Sequence, residues 1–172
     1  SVEATVAAIE SAKTVIAQVN PNMPRTFGDG ILHVSEIDFL VDVDCPIHEK
    51  EEEAITPLEA KIGAHIASLI DDKSTLQLGI GSIPNAALAN LMNHKDLGLH
   101  TEMFSDGVID LILKDVINCN YKGVTRGRVL STFMLGSKRL YDFVNDNPFI
   151  ELRESSYVND TAKIRRNPKM VA

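Results

Sequence analysis

Short apolar runs alternate with short amphipathic segments from Thr56 to Val158, and this alternation constrains the fold more than any other feature. Each apolar run has the length and composition of a strand, and the segment after it carries apolar residues at helical spacing. Strands that alternate with helices predict an α/β fold with an open, mostly parallel sheet. We predict strands over 74–80, 97–104, 127–136 and 149–158, and later helices over 86–92, 108–116 and 138–146.

The first helix of this alternating region has a capping signature at its start. Thr56 can cap it, Pro57 suits the first helical position, and Glu59 completes a reciprocal capping box. The helix is predicted to end near Asp71. Its apolar face is formed by Leu58, Ile62, Ile66, Leu69 and Ile70.

The sequence before Thr56 reads as a separate unit. Residues 45–57 hold a charged cluster between two prolines and have no apolar periodicity. That pattern is typical of a solvated connection between domains, with an acidic interaction patch as the alternative. We place the end of a first domain at residue 48, a linker over 49–57 and a second domain over 58–172. Earlier elements are a helix over 3–13, a strand over 14–20, a loop over 20–30 and an extended segment over 31–44.

Composition excludes several classes of function. The chain is 44% hydrophobic with a formal net charge of −7, so we expect a globular protein that does not bind nucleic acid. No apolar run is long enough for a membrane span, and no leader is visible. Cys45 and Cys119 do not form a disulfide or zinc pattern, which favours a reducing compartment and a cytoplasmic location. The final apolar run resembles the beginning of a strand, so neither terminus looks like the end of a domain.

The turn Gly79-Ile80-Gly81 is the first candidate site. It follows a predicted strand and precedes a helix, where ligands bind in open α/β sheets. Glycine lets a ligand approach the backbone closely, and a helix N-terminus favours negative charge. The turn lacks the glycine spacing of a dinucleotide site and the Lys-Ser/Thr pair of a P-loop. A tight turn without a ligand is the alternative.

Glu102 is the second candidate, because it lies in an apolar segment near the end of a predicted strand. A carboxylate there is unfavourable unless the site uses it, although a hydrogen-bonded structural glutamate is the alternative. We interpret His100 as a structural histidine. Ser82, Ser105 and Asp106 do not complete a Ser-His-Asp triad, because neither serine lies in a nucleophile elbow.

Other candidates are weaker. The loop from Asn20 to Gly30 could bind a ligand or merely connect two elements, and Lys138, Arg139 and Tyr141 are predicted surface or interface groups. The acidic cluster near the linker lacks the spacing of a calcium loop. No His, Cys and carboxylate constellation predicts a metal site.

Five segments carry a resemblance to a known family. QVNPNMPRTFGDG, LQLGIGSIPNAAL, HTEMFSDGVIDL, STFMLGSKRLYDFVNDNP and YVNDTAKI resemble the acetyl-CoA hydrolase/transferase family, in order and over essentially the whole chain. The resemblance implies two related open α/β domains. Residues 1–48 would be the C-terminal part of the first, and residues 58–172 the N-terminal part of the second.

The resemblance also implies a reaction and its residues. Glu102 would be the nucleophile in a ping-pong transfer of coenzyme A to a short-chain carboxylate such as 4-hydroxybutyrate, acetate or butyrate, through a glutamyl-CoA thioester. The amide of Ile80 would be an oxyanion donor. Substrate or CoA contacts are expected from Gly79, Gly81, Asn20, Met23 and Pro24.

The resemblance further implies an enzyme without a permanently bound cofactor or metal, whose substrates are an acyl-CoA and a carboxylate. The full-length enzyme is expected to be a homodimer. Family members are more than twice as long, and their glycine-rich G-G-x-x-D-F loop, with a second oxyanion donor, has no counterpart here. The alternatives are hydrolysis of acyl-CoA by the same glutamate, and a non-catalytic fragment or subunit.

Overall fold

The computed structural model describes residues 1–50 and 54–172, and every strand pair in it is parallel. The predicted α/β class with a parallel sheet is confirmed. The strands are β1 (Ile16–Val19), β2 (Phe27–Gly28), β3 (Phe39–Asp42), β4 (Thr75–Leu76), β5 (Gly98–Leu99), β6 (Met103–Phe104), β7 (Val129–Ser131), β8 (Phe133–Met134), β9 (Ile150–Leu152) and β10 (Met170–Val171). The helices are α1 (Thr5–Ser11), α2 (Pro57–Ser68), α3 (Ser82–Ala89), α4 (Ile109–Leu113), α5 (Lys138–Val144), α6 (Ser155–Val158) and α7 (Thr161–Ile164).

Two three-stranded sheets, ordered β10-β4-β5 and β2-β9-β7, form the centre of the molecule. A parallel bridge joins the two sheets, between His100, which follows β5, and Leu130 on β7. Beyond this bridge the same two chain segments pair again as β6 and β8. The carboxyl ends of β4, β5 and β7 therefore meet at one place, and Glu102 lies there.

The hydrophobic core lies against these strands. Phe104 on β6, Leu99 on β5 and Val129 on β7 are fully buried. Leu140 and Val144 of α5 belong to the same buried cluster, so the helix covers the sheet as predicted. Packing therefore adds to the backbone hydrogen bonds that hold the strand ends next to Glu102.

Helices α2 and α3 pack closely because Gly63 has no side chain. A Cβ at Gly63 would lie 2.4 Å from the carbonyl carbon of Ala86. The predicted capping box is confirmed, since Thr56 accepts from the Glu59 amide at 3.3 Å and Glu59 accepts from the Thr56 amide at 2.7 Å. Glu59 also accepts a hydrogen bond from Ser82, and these hydrogen bonds lower its pKa.

The first fifty residues contain two different kinds of strand. Among the described residues, β1 and β3 pair only with each other, and their side chains are mostly exposed. β2 pairs with β9 and forms one edge of the central β2-β9-β7 sheet. Gly28 permits this contact, because it has φ +107° and a Cβ there would lie 2.1 Å from the Leu152 carbonyl oxygen. The next residue, Asp29, also contacts the segment after β9, because its carboxylate forms an ion pair with Arg153 at 2.8 Å.

The first two residues of the predicted linker, Glu49 and Lys50, lie against the start of α5. The Lys50 amide donates to the Gly136 carbonyl at 2.9 Å, and Glu49 accepts from the Lys138 amide at 2.7 Å. The Tyr141 hydroxyl donates to the His48 carbonyl at 2.9 Å. Glu49 thus places negative charge at a helix N-terminus. Residues 51–53 of the predicted linker lie outside the described residues.

Several predicted boundaries are wrong. The strand predicted over 149–158 ends at Leu152, and its second half is α6. The helix predicted to begin at Ala86 begins at Ser82, because Pro84 stands in the first turn, where its missing N–H is not needed. The strand predicted over 97–104 is interrupted between β5 and β6.

Over residues 1–50 and 54–172, no helix combines the length and apolar character that a membrane crossing requires.

Candidate active site

Glu102 lies in the interruption between β5 and β6, and its backbone is firmly held. Its carbonyl oxygen accepts from the hydroxyls of Ser131 and Thr132, both at 2.9 Å, and from the Thr132 amide at 2.9 Å. Both hydroxyl residues are fully buried at the end of β7. The side chain of Glu102 is half-buried. This arrangement fixes the main chain of the glutamate and leaves its carboxylate at the sheet edge.

Thr101 connects Glu102 to the Gly79-Ile80-Gly81 turn. Its buried hydroxyl accepts from the Leu78 amide at 2.9 Å and lies 2.8 Å from the Met103 carbonyl oxygen. Leu78 immediately precedes the glycine turn. The two segments singled out from the sequence are therefore neighbours in the fold, held together by one threonine side chain.

The glycine turn is open on its outer side. Ile80 is 54% exposed, and a Cβ at Gly81 would meet no atom within 4 Å. Gly81 has φ +121° and caps α3, a conformation that favours glycine. At Gly79 the nearest atom to a Cβ would be a Pro84 carbon at 3.8 Å. A ligand can therefore approach this backbone next to the N-terminus of α3.

Asn159 donates a hydrogen bond to the carboxylate of Glu102. The distance from its Nδ2 to Oε2 is 2.7 Å, which is within the range of a hydrogen bond to an ionised carboxylate. Among the described residues, Oε1 of Glu102 accepts no hydrogen bond. Asn159 could not be singled out from the sequence, where it lies within the segment YVNDTAKI without any distinguishing pattern. The two residues are far apart in the chain, and only the fold brings them together.

His100 is a satisfied buried histidine, as interpreted from the sequence. Its Nε2 lies 2.7 Å from the Val158 carbonyl oxygen, and its Nδ1 lies 2.8 Å from Nδ2 of Asn167. Burial lowers the pKa of His100, the hydrogen bond to Val158 raises it, and the charge of Lys122 lowers it. His100 is thus neutral near pH 7 and has no free ring nitrogen for acid–base chemistry.

The serines and the acid near the site have structural partners. Asp106 accepts from the Ser137 hydroxyl at 2.5 Å and from the Ser137 amide at 2.8 Å. The Ser105 hydroxyl contacts Asn85, and the Ser82 hydroxyl donates to Glu59. These contacts agree with the absence of a Ser-His-Asp arrangement in the sequence pattern. In the described part of the chain, no three His, Cys, Asp or Glu side chains are grouped to hold a metal ion.

The predicted binding residues of the loop, Asn20, Met23 and Pro24, all line cavities. Met23 and Pro24 line two adjoining cavities of about 460 and 700 Å³. Asn20 lines a third cavity of about 430 Å³, and its amide donates to the Cys45 carbonyl, in the segment after β3, at 2.9 Å. The larger cavity is also lined by Met134 and Leu135, which follow the residues that hold Glu102.

Comparison with known proteins identifies several relatives of this chain. The model of the acetyl-CoA hydrolase/transferase C-terminal domain matches residues 136–172. The 4-hydroxybutyrate coenzyme A transferase of Clostridium kluyveri is 50% identical over 165 residues, which are 96% of this chain and 38% of that protein. The succinyl-CoA:cyclohexane-1-carboxylate CoA transferase of Geobacter metallireducens is 44% identical over 172 residues, 100% of this chain and 39% of that protein.

Solved structures show the same likeness. The crystal structure of 4-hydroxybutyrate CoA-transferase from Porphyromonas gingivalis superposes with a TM-score of 0.95 at 46% identity, over 99% of this chain and 43% of that one. RipA from Yersinia pestis superposes with a TM-score of 0.92 at 35% identity, over 98% of this chain and 39% of that one. The chain spans about two fifths of the length of these relatives. Sequence and fold together place the chain in the acetyl-CoA hydrolase/transferase family.

Proposed function

We propose that the protein transfers coenzyme A from an acyl-CoA to a short-chain carboxylate of the 4-hydroxybutyrate, acetate or butyrate type. The observation that carries this proposal is the arrangement of Glu102. Its main chain is fixed, Asn159 holds one carboxylate oxygen at 2.7 Å, and the other oxygen is left to attack. The names of the relatives, which include CoA transferases for 4-hydroxybutyrate and for butyrate and acetate, support the substrate class.

The proposed reaction has two half-reactions. Oε1 of Glu102 attacks the thioester carbonyl, which gives an acyl-glutamyl anhydride and CoA thiolate. The thiolate then attacks the glutamyl carbonyl carbon, releases the first carboxylate and leaves a glutamyl-CoA thioester. The acceptor carboxylate repeats these steps in reverse, so the new acyl-CoA departs and the carboxylate of Glu102 is restored. Covalent catalysis divides one difficult exchange into easier steps.

Two different oxyanions form during the proposed reaction, and we propose one hydrogen-bond donor for each. When thiolate attacks the glutamyl carbon, charge develops on Oε2, the oxygen to which Asn159 already donates. When attack occurs at the acyl carbon, the amide of Ile80 is the proposed donor, in the open turn linked to Glu102 through Thr101. Loss of one oxyanion donor typically lowers the rate by ~10²–10³-fold.

The remaining assignments are proposals of the same kind. The cavities at Met23 and Pro24 are proposed to receive substrate, together with the backbone at Gly79 and Gly81. We propose no resident cofactor, a cytoplasmic location and a homodimeric full-length enzyme. The two-domain division at the 49–57 linker remains a prediction.

The proposal is tested by replacing the nucleophile in the complete enzyme. Glu102→Ala is expected to abolish exchange between acyl-CoA and labelled carboxylate while its circular dichroism spectrum stays unchanged. Glu102→Asp is expected to lose most activity, because the shorter arm misplaces the carboxylate. Exchange at the wild-type rate in Glu102→Ala would refute the assignment.

Hydrolysis of acyl-CoA by the same glutamate is the second candidate, because the matching family includes both hydrolases and transferases. The two activities differ in whether water reaches the intermediate. Release of the first carboxylate from acyl-CoA, measured with and without acetate, separates them, because a transferase passes the CoA to acetate and frees none of it. A transferase accumulates no more than one equivalent of product per site without acceptor, whereas release at full rate without acceptor would establish a hydrolase.

A further inference from the structure

His100 is a buried polar side chain that the proposed chemistry does not use. It is only 1% exposed, and it lies two residues before the proposed nucleophile. We propose that His100 is a positioning residue that holds the Asn159 amide against the Glu102 carboxylate by anchoring the C-terminal end of α6. This inference rests on the proposed role of Glu102, and it adds a residue outside the reacting groups.

The hydrogen bonds of His100 define its tautomer. The Val158 carbonyl can only accept, so Nε2 must carry the hydrogen in the 2.7 Å contact. The other nitrogen, Nδ1, must then accept from Nδ2 of Asn167 at 2.8 Å. Asn167 is oriented in turn, because its Oδ1 accepts from the amides of Gly123 and Val124 at 3.2 and 3.3 Å. Each polar atom in this buried chain has a partner of the correct kind.

These contacts close a ring around the nucleophile. The His100 ring bonds to the carbonyl of Val158, and the side chain of the next residue, Asn159, bonds to Glu102. The main chain from His100 to Glu102 completes the ring on the other side. A shift of the Val158 carbonyl would therefore move the amide that bonds the carboxylate.

Helix α6 needs such an anchor because it is a single turn. Four residues cannot form a stable helix by themselves. At its start, the Glu154 amide donates to Asp29 at 3.0 Å and the Ser155 amide donates to the Glu3 carbonyl at 3.0 Å. At its end, Nε2 of His100 donates to the Val158 carbonyl, which is one of the groups that a helix terminus leaves unpaired.

The test compares two replacements of His100 in the complete enzyme, each of which substitutes an amide for the imidazole. Gln can donate from a position close to that of Nε2, whereas Asn can replace only the Nδ1 side of the ring. We expect His100→Gln to form the CoA adduct of Glu102 at close to the wild-type single-turnover rate, and His100→Asn to be slower by roughly 10-fold with little change in KM.

A double-mutant cycle separates positioning from general structural damage. In an Asn159→Ala background, His100→Asn is expected to cause no further decrease in rate, because the group that it positions is already gone. Asn167→Ala is expected to show the same dependence on Asn159 with a smaller effect, and it provides the cycle if His100→Asn does not fold. Multiplicative rate losses in both cycles would overturn the proposal.

His94 provides a matched control. Its Nε2 also bonds to a backbone carbonyl, that of Ile70 at 2.9 Å, but it precedes β5 whereas His100 follows it. His94→Asn is expected to lower the melting temperature without changing the rate of adduct formation. An equal rate loss in His94→Asn and His100→Asn would contradict a specific role. If the wild-type enzyme forms no adduct at all, the proposed function itself fails instead.

Discussion

The strands around Glu102 and the β1–β3 pair are both parallel, yet their side chains lie in opposite environments. Phe104 and Leu99, close to Glu102, are completely buried, whereas Phe39 and Ile16 are more than half exposed. Backbone hydrogen bonds connect β1 to β3, and the Val15 amide donates to the Asp38 carboxylate at their start. Around Glu102, packing and buried hydroxyl groups add to those bonds. Parallel pairing is therefore not enough to hold a side chain in a defined position, and the covered sheet edge is where catalytic geometry can be maintained.

The comparison can be sharpened with two phenylalanines on these strands. In the 172-residue chain, Phe104→Ala is expected to lower the free energy of unfolding by about 3–5 kcal/mol, because it leaves a cavity in a filled core. Phe39→Ala, at 61% exposure, should change it by about 0.5 kcal/mol or less. Urea denaturation measures both. Equal losses would show that the two regions are packed alike.

The pH dependence of stability gives a second contrast, because the covered region contains a buried ammonium group. Lys122 is 4% exposed, and its Nζ donates to the Leu99 carbonyl at 2.8 Å and the Arg128 carbonyl at 2.7 Å. Burial lowers the pKa of Lys122 to about 8 from 10.5. Since the charged form is disfavoured in the folded state, the destabilisation is fully present below pH 8 and disappears as the pH rises toward 10.5.

Wild type should therefore gain about 2 kcal/mol relative to Lys122→Met between pH 7.5 and pH 10, measured by urea denaturation. The comparison with Lys122→Met removes the effect of the other titrating groups. Lys73, an exposed lysine, serves as the control, and Lys73→Met should show no such gain. A constant difference between wild type and Lys122→Met would mean that the lysine is not desolvated.

The smallest expected difference is between two glycines with positive φ. Gly28→Ala must strain the backbone and also meet the Leu152 carbonyl, whereas Gly127 has φ +76° and open space around it. Gly127→Ala should be destabilised by about 1 kcal/mol from backbone strain alone, and Gly28→Ala by roughly 1–2 kcal/mol more. Thermal unfolding distinguishes them. Equal effects would show that β2 does not depend on its close contact with β9.

Local sequence patterns were sufficient to predict some helices and strands and insufficient to predict others. The capping box of α2 was predictable because Thr56 and Glu59 are three residues apart. The end of β9 was not, because α6 is held at both ends by residues distant in the sequence, Asp29 and His100. The pairing of β2 was missed for the same reason, since its partner strand lies more than a hundred residues away.

The candidate site shows the same division. Glu102 and the glycine turn stood out because an acid in an apolar run and paired glycines are local patterns. Thr101 and Asn159 did not, because their importance arises only from contacts with Leu78 and Glu102 across the fold. The assignment of Glu102 as nucleophile and Ile80 as donor stays a prediction.

The most direct test of the account is the chemical state of Glu102 during turnover. The complete enzyme is mixed with acyl-CoA without acceptor, quenched, digested and analysed by mass spectrometry. The account predicts a CoA adduct on the Glu102 peptide that hydroxylamine removes, and no adduct in Glu102→Ala. An unmodified Glu102 in an enzyme that exchanges CoA once a carboxylate acceptor is added would contradict it.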